Sequence, residues 1–279
     1  MSLRSLATIL LSGGFVLGTW LLGGSALSNA PLERAPRVTL DQLCAGELKI
    51  VDLGYALNAS TAYWPGPKYE PFRLKTIATI ERDGVLSKSF CSPEHLGTHL
   101  DAPNHFERGQ PSVDQIPADE LFCAGVVIDV SGAAQADPDY RLSVADVQAW
   151  EQAHGPIPEK SLVLLRTGWA RFWGQPVRYC NQDAGNQLHF PGYSVEAAQW
   201  LVDQRHVRGI GIDTLSIDYG PSRDFPVHHV INRHKHYALE NLAQLDRLPP
   251  RGFYVVVAPM KIETGSGGPA RVLAILPGG

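Results

Sequence analysis

The feature that most constrains the fold is an alternation of two kinds of segment. Short apolar runs rich in Val and Ile, bordered by Gly or Pro, recur at residues 48–53, 72–79, 125–130, 161–166, 207–212 and 252–258. Their length and β-branched content predict strands. Between them lie helix signals. Ser143-Val-Ala-Asp146 reads as a capping box ahead of Val147 and Trp150, and Gly155-Pro156 stops it; Ser194-Val-Glu196 opens a stronger helix leading into the 207–212 run. Thr39-Leu-Asp-Gln42 starts a shorter one. Strands alternating with helices predict an α/β single domain, a mixed central sheet flanked by helices, rather than a sandwich. With 279 residues, 44% of them hydrophobic, the chain can bury one such core.

The first thirty residues have a different character. Arg4 is the only charge before an apolar stretch at 6–27, followed by Ser28-Asn29-Ala30 and Pro31. A basic residue, an apolar stretch and small residues before a cut after Ala30 make a secretory signal over 1–30. The stretch is long enough to remain as an uncleaved membrane anchor, and a membrane contact is expected only in that case. Either way the rest of the protein is exported, to a periplasm or the extracellular space. Residues 31–42 then read as a linker or N-terminal extension, and 43–279 as the folded domain.

The formal charge is −4 and no run of Lys or Arg forms a basic stripe, which excludes nucleic acid as a partner. The four cysteines, Cys44, Cys91, Cys123 and Cys180, show no C-x-x-C spacing, so two disulfides and four packed thiols both remain open. Residues 171–193 are irregular, yet Trp173, Tyr179, Phe190 and Tyr193 make them too apolar for a disordered linker; a lid or pocket wall is the expectation.

The chemistry concentrates in Glu94-His-Leu-Gly-Thr-His-Leu-Asp-Ala-Pro-Asn-His-Phe106, where three histidines and an aspartate fall within eleven positions. Imidazole nitrogen and carboxylate oxygen are the usual ligands of catalytic zinc and manganese, and an open site needs about three of them plus water. His95, His99 and Asp101 supply three. In an extended segment they share one face together with Gly97, which gives room for a metal or a second backbone, whereas in a helix Asp101 would swing away. The rival reading is three separate histidines satisfied in turns.

The pattern His95-x-Gly97-Thr98-His99-x-Asp101-x-Pro103-x-His105 resembles the signature of the cyclase family of metal-dependent hydrolases, which includes arylformamidases and isatin hydrolases. Trp64-Pro-Gly66, Arg166-Thr-Gly-Trp169 and Gly211-Ile-Asp-Thr-Leu-Ser-Ile-Asp218 resemble further family segments, so the likeness spans most of the domain. It implies a cyclase-like fold of the swivelling β/β/α type and a homo-oligomer. It also implies His95, His99 and Asp101 as ligands of one or two divalent ions, Mn2+ or Zn2+, with Asp101 able to bridge. His228 and Glu240 would complete a second position, with His229 an adjacent competitor. His105 would be the proton-transferring catalytic residue. A histidine free of metal can exchange protons near neutral pH.

The expected activity is hydrolysis of an amide bond in a small aromatic substrate, with water activated by the ion attacking the carbonyl. The amide is either an aryl formamide or an isatin-type lactam. The long 171–193 and 218–224 stretches tilt the choice toward the lactam. Trp64, Phe106, Phe190 and Tyr193 are the expected pocket wall. A different class of function is also open: a non-catalytic extracytoplasmic protein that binds metal or ligand at the same residues, for which His105 has no use.

Overall fold

Leu162-Val-Leu-Leu-Arg166 shows how the sequence builds the centre of the fold. Leu162 and Leu164 enter one apolar cluster and Val163 and Leu165 another, all fully buried. Only a strand covered on both faces needs an unbroken apolar run. A computed structural model describes residues 38–278; the segment read as a signal or anchor lies outside the described residues. Among the described residues no helix is long and apolar enough to cross a membrane.

Among the described residues twelve strands are formed: β1 (Lys49–Asp52), β2 (Arg73–Ala78), β3 (Ser87–Cys91), β4 (His99–Asp101), β5 (Phe122–Asp129), β6 (Arg141–Leu142), β7 (Leu162–Arg166), β8 (Gly192–Tyr193), β9 (Gly209–Ile212), β10 (Tyr237–Glu240), β11 (Arg251–Pro259) and β12 (Gly267–Leu276). The helices are α1 (Leu40–Cys44), α2 (Ile80–Asp83), α3 (Ser131–Ala136), α4 (Val144–His154), α5 (Pro176–Cys180), α6 (Val195–Arg205) and α7 (Pro226–Arg233). Thr39 caps α1 through a reciprocal bond with Gln42, so helix begins inside the stretch read as linker.

Eight strands form one mixed sheet in the order β1-β12-β11-β5-β7-β9-β10-β4, and β4 pairs back onto β12. That last pairing closes β12, β11, β5, β7, β9, β10 and β4 into a ring, which leaves β1 outside on β12. The β5-β7-β9-β10 run is parallel, and the remaining pairs are antiparallel. Inside the ring pack Leu100, Val127, Leu164, Leu239, Phe253 and Val255. The space there is tight: a Cβ on Gly211 would lie 2.8 Å from Leu164 and 2.9 Å from Leu242.

On the outer face α4, α6 and α7 press Val147, Trp150, Leu201, Val202, Val227 and Ile231 against Val126, Ile128, Val163, Ile210 and Ala238. Each large side chain buried this way stabilises the fold by about 1.5–3 kcal/mol relative to exposure. Ser143 and Ser194 cap α4 and α6 as their sequences predict.

The run at 72–79 is a strand, but it pairs only with β3 in a separate two-stranded ribbon whose Leu74, Ile77 and Phe90 are exposed. All four cysteines are free thiols. Residues 171–193 fold into turns, α5 and β8, over a third apolar cluster holding Trp169, Tyr179, Leu188 and Phe190.

Candidate active site

His99 and Asp101 alternate along β4, so both side chains leave the ring on its outer face while Leu100 points in. The antiparallel register sets Glu240 of β10 directly opposite His99, and small residues, Ala238 and Gly267, opposite Asp101. That leaves room beside the buried Asp101 carboxylate for imidazole rings rather than for its strand neighbours. His99 Nε2 lies 3.1 Å from Asp101 Oδ1 and 3.5 Å from Glu240 Oε2.

His228 enters from above on α7. Asp218 accepts the backbone N–H groups of Val227 and His228 at the start of that helix, and its Oδ2 also accepts His228 Nδ1–H at 2.7 Å. One carboxylate thus anchors the helix and turns His228 Nε2 toward Glu240 Oε1 at 3.2 Å and Asp101 Oδ2 at 3.5 Å. His95 reaches Asp101 Oδ1 at 2.6 Å through Nδ1.

Gly97 adopts φ +65, so the backbone turns before β4 rather than running extended from His95. The expectation of a metal or a second backbone at Gly97 is corrected: a Cβ there would sit 2.5 Å from the Leu57 side chain.

This arrangement fits a cation. His99 Nδ1 points at the Gly97 carbonyl at 2.8 Å, which makes it the protonated nitrogen and leaves Nε2 facing carboxylates. The fully buried atoms His99 Nε2 and Asp101 Oδ2 have no hydrogen-bond partner. Acceptors crowded in this way need a proton or a metal ion between them. Two groups of ligand atoms, His95/Asp101/His105 and His99/Asp101/Glu240, each fall within 4.8 Å, with Asp101 in both.

The electrostatics agree. Burial opposes the charge on His99, yet Asp101 and Glu240 outweigh it and hold the imidazole up to about 9. His228 is raised in the same way by Asp101, Asp218 and Glu240 against its burial. Asp101, despite burial, is held well below the carboxylate range by His99, His228 and His95, whereas burial and Asp101 push Glu240 up. His105 goes the other way: burial above all, opposed by Asp101 and reinforced by His95, His228 and His99, drops it to about 3. Its ring stacks on His95 at 3.8 Å.

These groups open into a cavity of about 170 Å3 lined by Tyr63, Trp64, Tyr69, Phe106, Leu215, Ser216, Phe225 and Asn241 together with His95, His99, His105, His228 and Glu240. Of the four expected wall residues, Trp64 and Phe106 line this cavity. Phe190 does not line the cavity; it is fully buried behind Trp64, ring centroids 6.4 Å apart. Tyr193 is no wall either, since its hydroxyl lies within hydrogen-bond reach of the Val163 and Gly211 carbonyls in the core. Tyr193→Phe should cost about 1 kcal/mol in a denaturant melt and leave KM unchanged; a tenfold rise in KM would restore its pocket role. His229 turns away to Glu107 at 3.0 Å. Tyr63, Tyr69 and Phe225 escape sequence reasoning, although Tyr63 adjoins Trp64 and Phe225-Pro226 marks a helix start.

A buried cluster of His and carboxylate groups at the floor of a small aromatic cavity defines an enzyme-like site with the donor set of a divalent cation. The chain belongs to the Cyclase family, whose model matches residues 51–219. An isatin hydrolase from Roseibium aggregatum is 32% identical over 251 residues, covering 85% of this chain and 95% of that protein. A kynurenine formamidase from Salinibacter ruber is 25% identical over 228 residues, covering 81% and 97%. Among solved structures, isatin hydrolase A from Ralstonia solanacearum matches with TM-score 0.81 and 35% identity over 87% of this chain and 99% of that one.

Proposed function

We propose that this protein is a divalent-metal-dependent amidohydrolase that opens the ring of isatin or a closely related aromatic lactam. It is a hydrolase of carbon–nitrogen bonds other than peptide bonds, as its isatin hydrolase and kynurenine formamidase relatives support. The higher identity to isatin hydrolases, 32–35% against 25% for the formamidase, favours the lactam, while the observation that carries the small aromatic substrate is the cavity. At about 170 Å3 it is smaller than the ~300–1,000 Å3 of pockets for drug-sized ligands, so it suits a one- or two-ring substrate. Phe225, with ring centroids 5.5 Å from Trp64 and 5.4 Å from Phe106, links the two, and together they offer it ring surfaces.

His95, His99, Asp101, His228 and Glu240 would hold one or two ions, Mn2+ or Zn2+. A bound ion supplies Lewis acidity toward a carbonyl oxygen and acidifies water. The chain's own residues do the rest. The aromatic wall orients the flat ring and excludes water from it. His105, neutral and facing the cavity, accepts a proton from the attacking water and passes it to the leaving nitrogen. We further infer export through residues 1–30 and assembly as a homo-oligomer.

The test is an assay of purified protein supplied with Mn2+ or Zn2+, offered isatin and N-formylkynurenine separately. Ring opening of isatin, at a higher kcat/KM than formate release, is expected. Turnover of neither substrate with either ion would sink the proposal; preference for the formamide would move it to the arylformamidase branch.

A further inference from the structure

His95 differs from His99 and His228, the other two candidate ligand histidines, in what holds it. His99 is turned by a backbone carbonyl and His228 by Asp218, both nearby in space and sequence. His95 is held by residues 171 positions away: its Nε2 lies 2.8 Å from Ser266 Oγ. Ser266 in turn gives both its hydroxyl, at 2.6 Å, and its backbone N–H, at 2.9 Å, to Glu94 Oε2.

The flanking residues are cut to this arrangement. A Cβ on Gly265 would lie 2.9 Å from Glu94 Oε1, and one on Gly267 would lie 2.6 Å from His95 Cε1. Gly267 also pairs with Asp101, and the Ser266 carbonyl accepts Ala102 N–H at 2.8 Å, so the segment is registered against the strand that carries His99 and Asp101.

A hydroxyl has one proton to give. With that proton committed to the Glu94 carboxylate in a short, charge-assisted bond, Ser266 Oγ can only accept from His95, which puts a proton on Nε2. Nδ1 faces Asp101 Oδ1 at 2.6 Å, a contact that requires a proton in the metal-free fold; a bound ion would take that proton's place and leave Nδ1 as the ligating nitrogen.

We infer that Glu94 and Ser266 are positioning residues: they form a relay, Glu94···Ser266···His95, that sets the tautomer and aim of His95 toward the metal ion. The inference rests on the metal-dependent reading above. Partners of this kind change metal affinity by about 10–100-fold when removed.

The experiment measures binding isotherms of Mn2+ and of Zn2+ to metal-stripped protein for wild type, Ser266→Ala, Ser266→Thr and Glu94→Gln. Metal-free melting temperature and the imidazole nitrogen spectrum of the zinc-loaded form are read alongside. Ser266→Ala and Glu94→Gln should each weaken both ions by about 10–100-fold, with the Nε2–H resonance of His95 shifted from its hydrogen-bonded position. Ser266→Thr, which keeps the hydroxyl, should recover most of the affinity. Glu94→Gln keeps the side chain's size and carries the test if Ser266→Ala does not fold. Wild-type affinity in both Ser266→Ala and Glu94→Gln, even with lowered melting temperatures, overturns the relay and leaves the metal site standing. A wild type that binds neither ion overturns both.

Discussion

Stripping the protein with a chelator should abolish amide hydrolysis, and one divalent ion added back at stoichiometric amounts should restore it. The stripped protein should also melt earlier. His99 Nε2, His228 Nε2 and both carboxylates of Asp101 and Glu240 converge within 3.1–3.5 Å with few protons to share. An ion present at 100 times its dissociation constant adds about 2.7 kcal/mol, which for a domain of this size is roughly 5–10 °C in melting temperature.

The gap should widen with pH. His99 in the metal-free fold is held up to about 9 against an unfolded value near 6.5. Its protonated form therefore contributes stability that is fully present below pH ~6.5 and is lost as pH rises through about 9, a swing of order 3 kcal/mol. A bound ion displaces that proton, so ion affinity rises over the same window while the metal-free protein weakens. Elemental analysis paired with melts at pH 6 and pH 9 checks both halves. Full activity in protein shown to hold no metal, or a melting gap that narrows with pH, would break the argument.

The parts of this protein legible in its sequence are those where one local pattern decides the outcome. Ser143 and Ser194 each sit one residue before a helix because a side-chain oxygen is needed there. The double-sided apolar run of β7 admits only a central strand. His99 and Asp101 share a face because they lie two apart in a strand. The rest depends on partners far away. β4 is three residues long, and nothing within His-Leu-Asp says strand; the ladders to β10 and β12 make it one. β12 opens with Gly267-Gly268-Pro269, which reads as a turn until the close approach of His95 explains Gly267. Phe190 and Tyr193 look like pocket aromatics because composition cannot tell a wall from the layer behind it. Their burial follows from how residues 171–193 pack, and that packing has no sequence period.

Replacing His105 by Ala should lower kcat by about 10²–10⁴-fold while leaving metal content and KM near wild type. His105 shares a group of three candidate ligand atoms with His95 and Asp101, so geometry alone would allow it to be a ligand. Its surroundings argue for proton transfer. It follows Pro103 in a short turn rather than lying on β4, it stacks face to face on His95, and it borders the cavity. Burial and the neighbouring imidazoles hold it near 3, so it stays neutral throughout the working range, and a nearby cation would push it further the same way. The sequence expectation of proton exchange near neutral pH is corrected: so low an affinity lets the proton pass readily to the leaving nitrogen but makes His105 a weak acceptor of it. Its assignment as the base rests on its place at the cavity. The acid limb of the rate profile then belongs to the ligand histidines, which must lose protons before an ion can bind. His105→Ala should accordingly keep the wild-type acid limb at reduced height, and added imidazole should recover part of the rate. If the variant instead loses its metal in proportion to its activity, His105 is a ligand, and the proton must be carried by another group bordering the cavity.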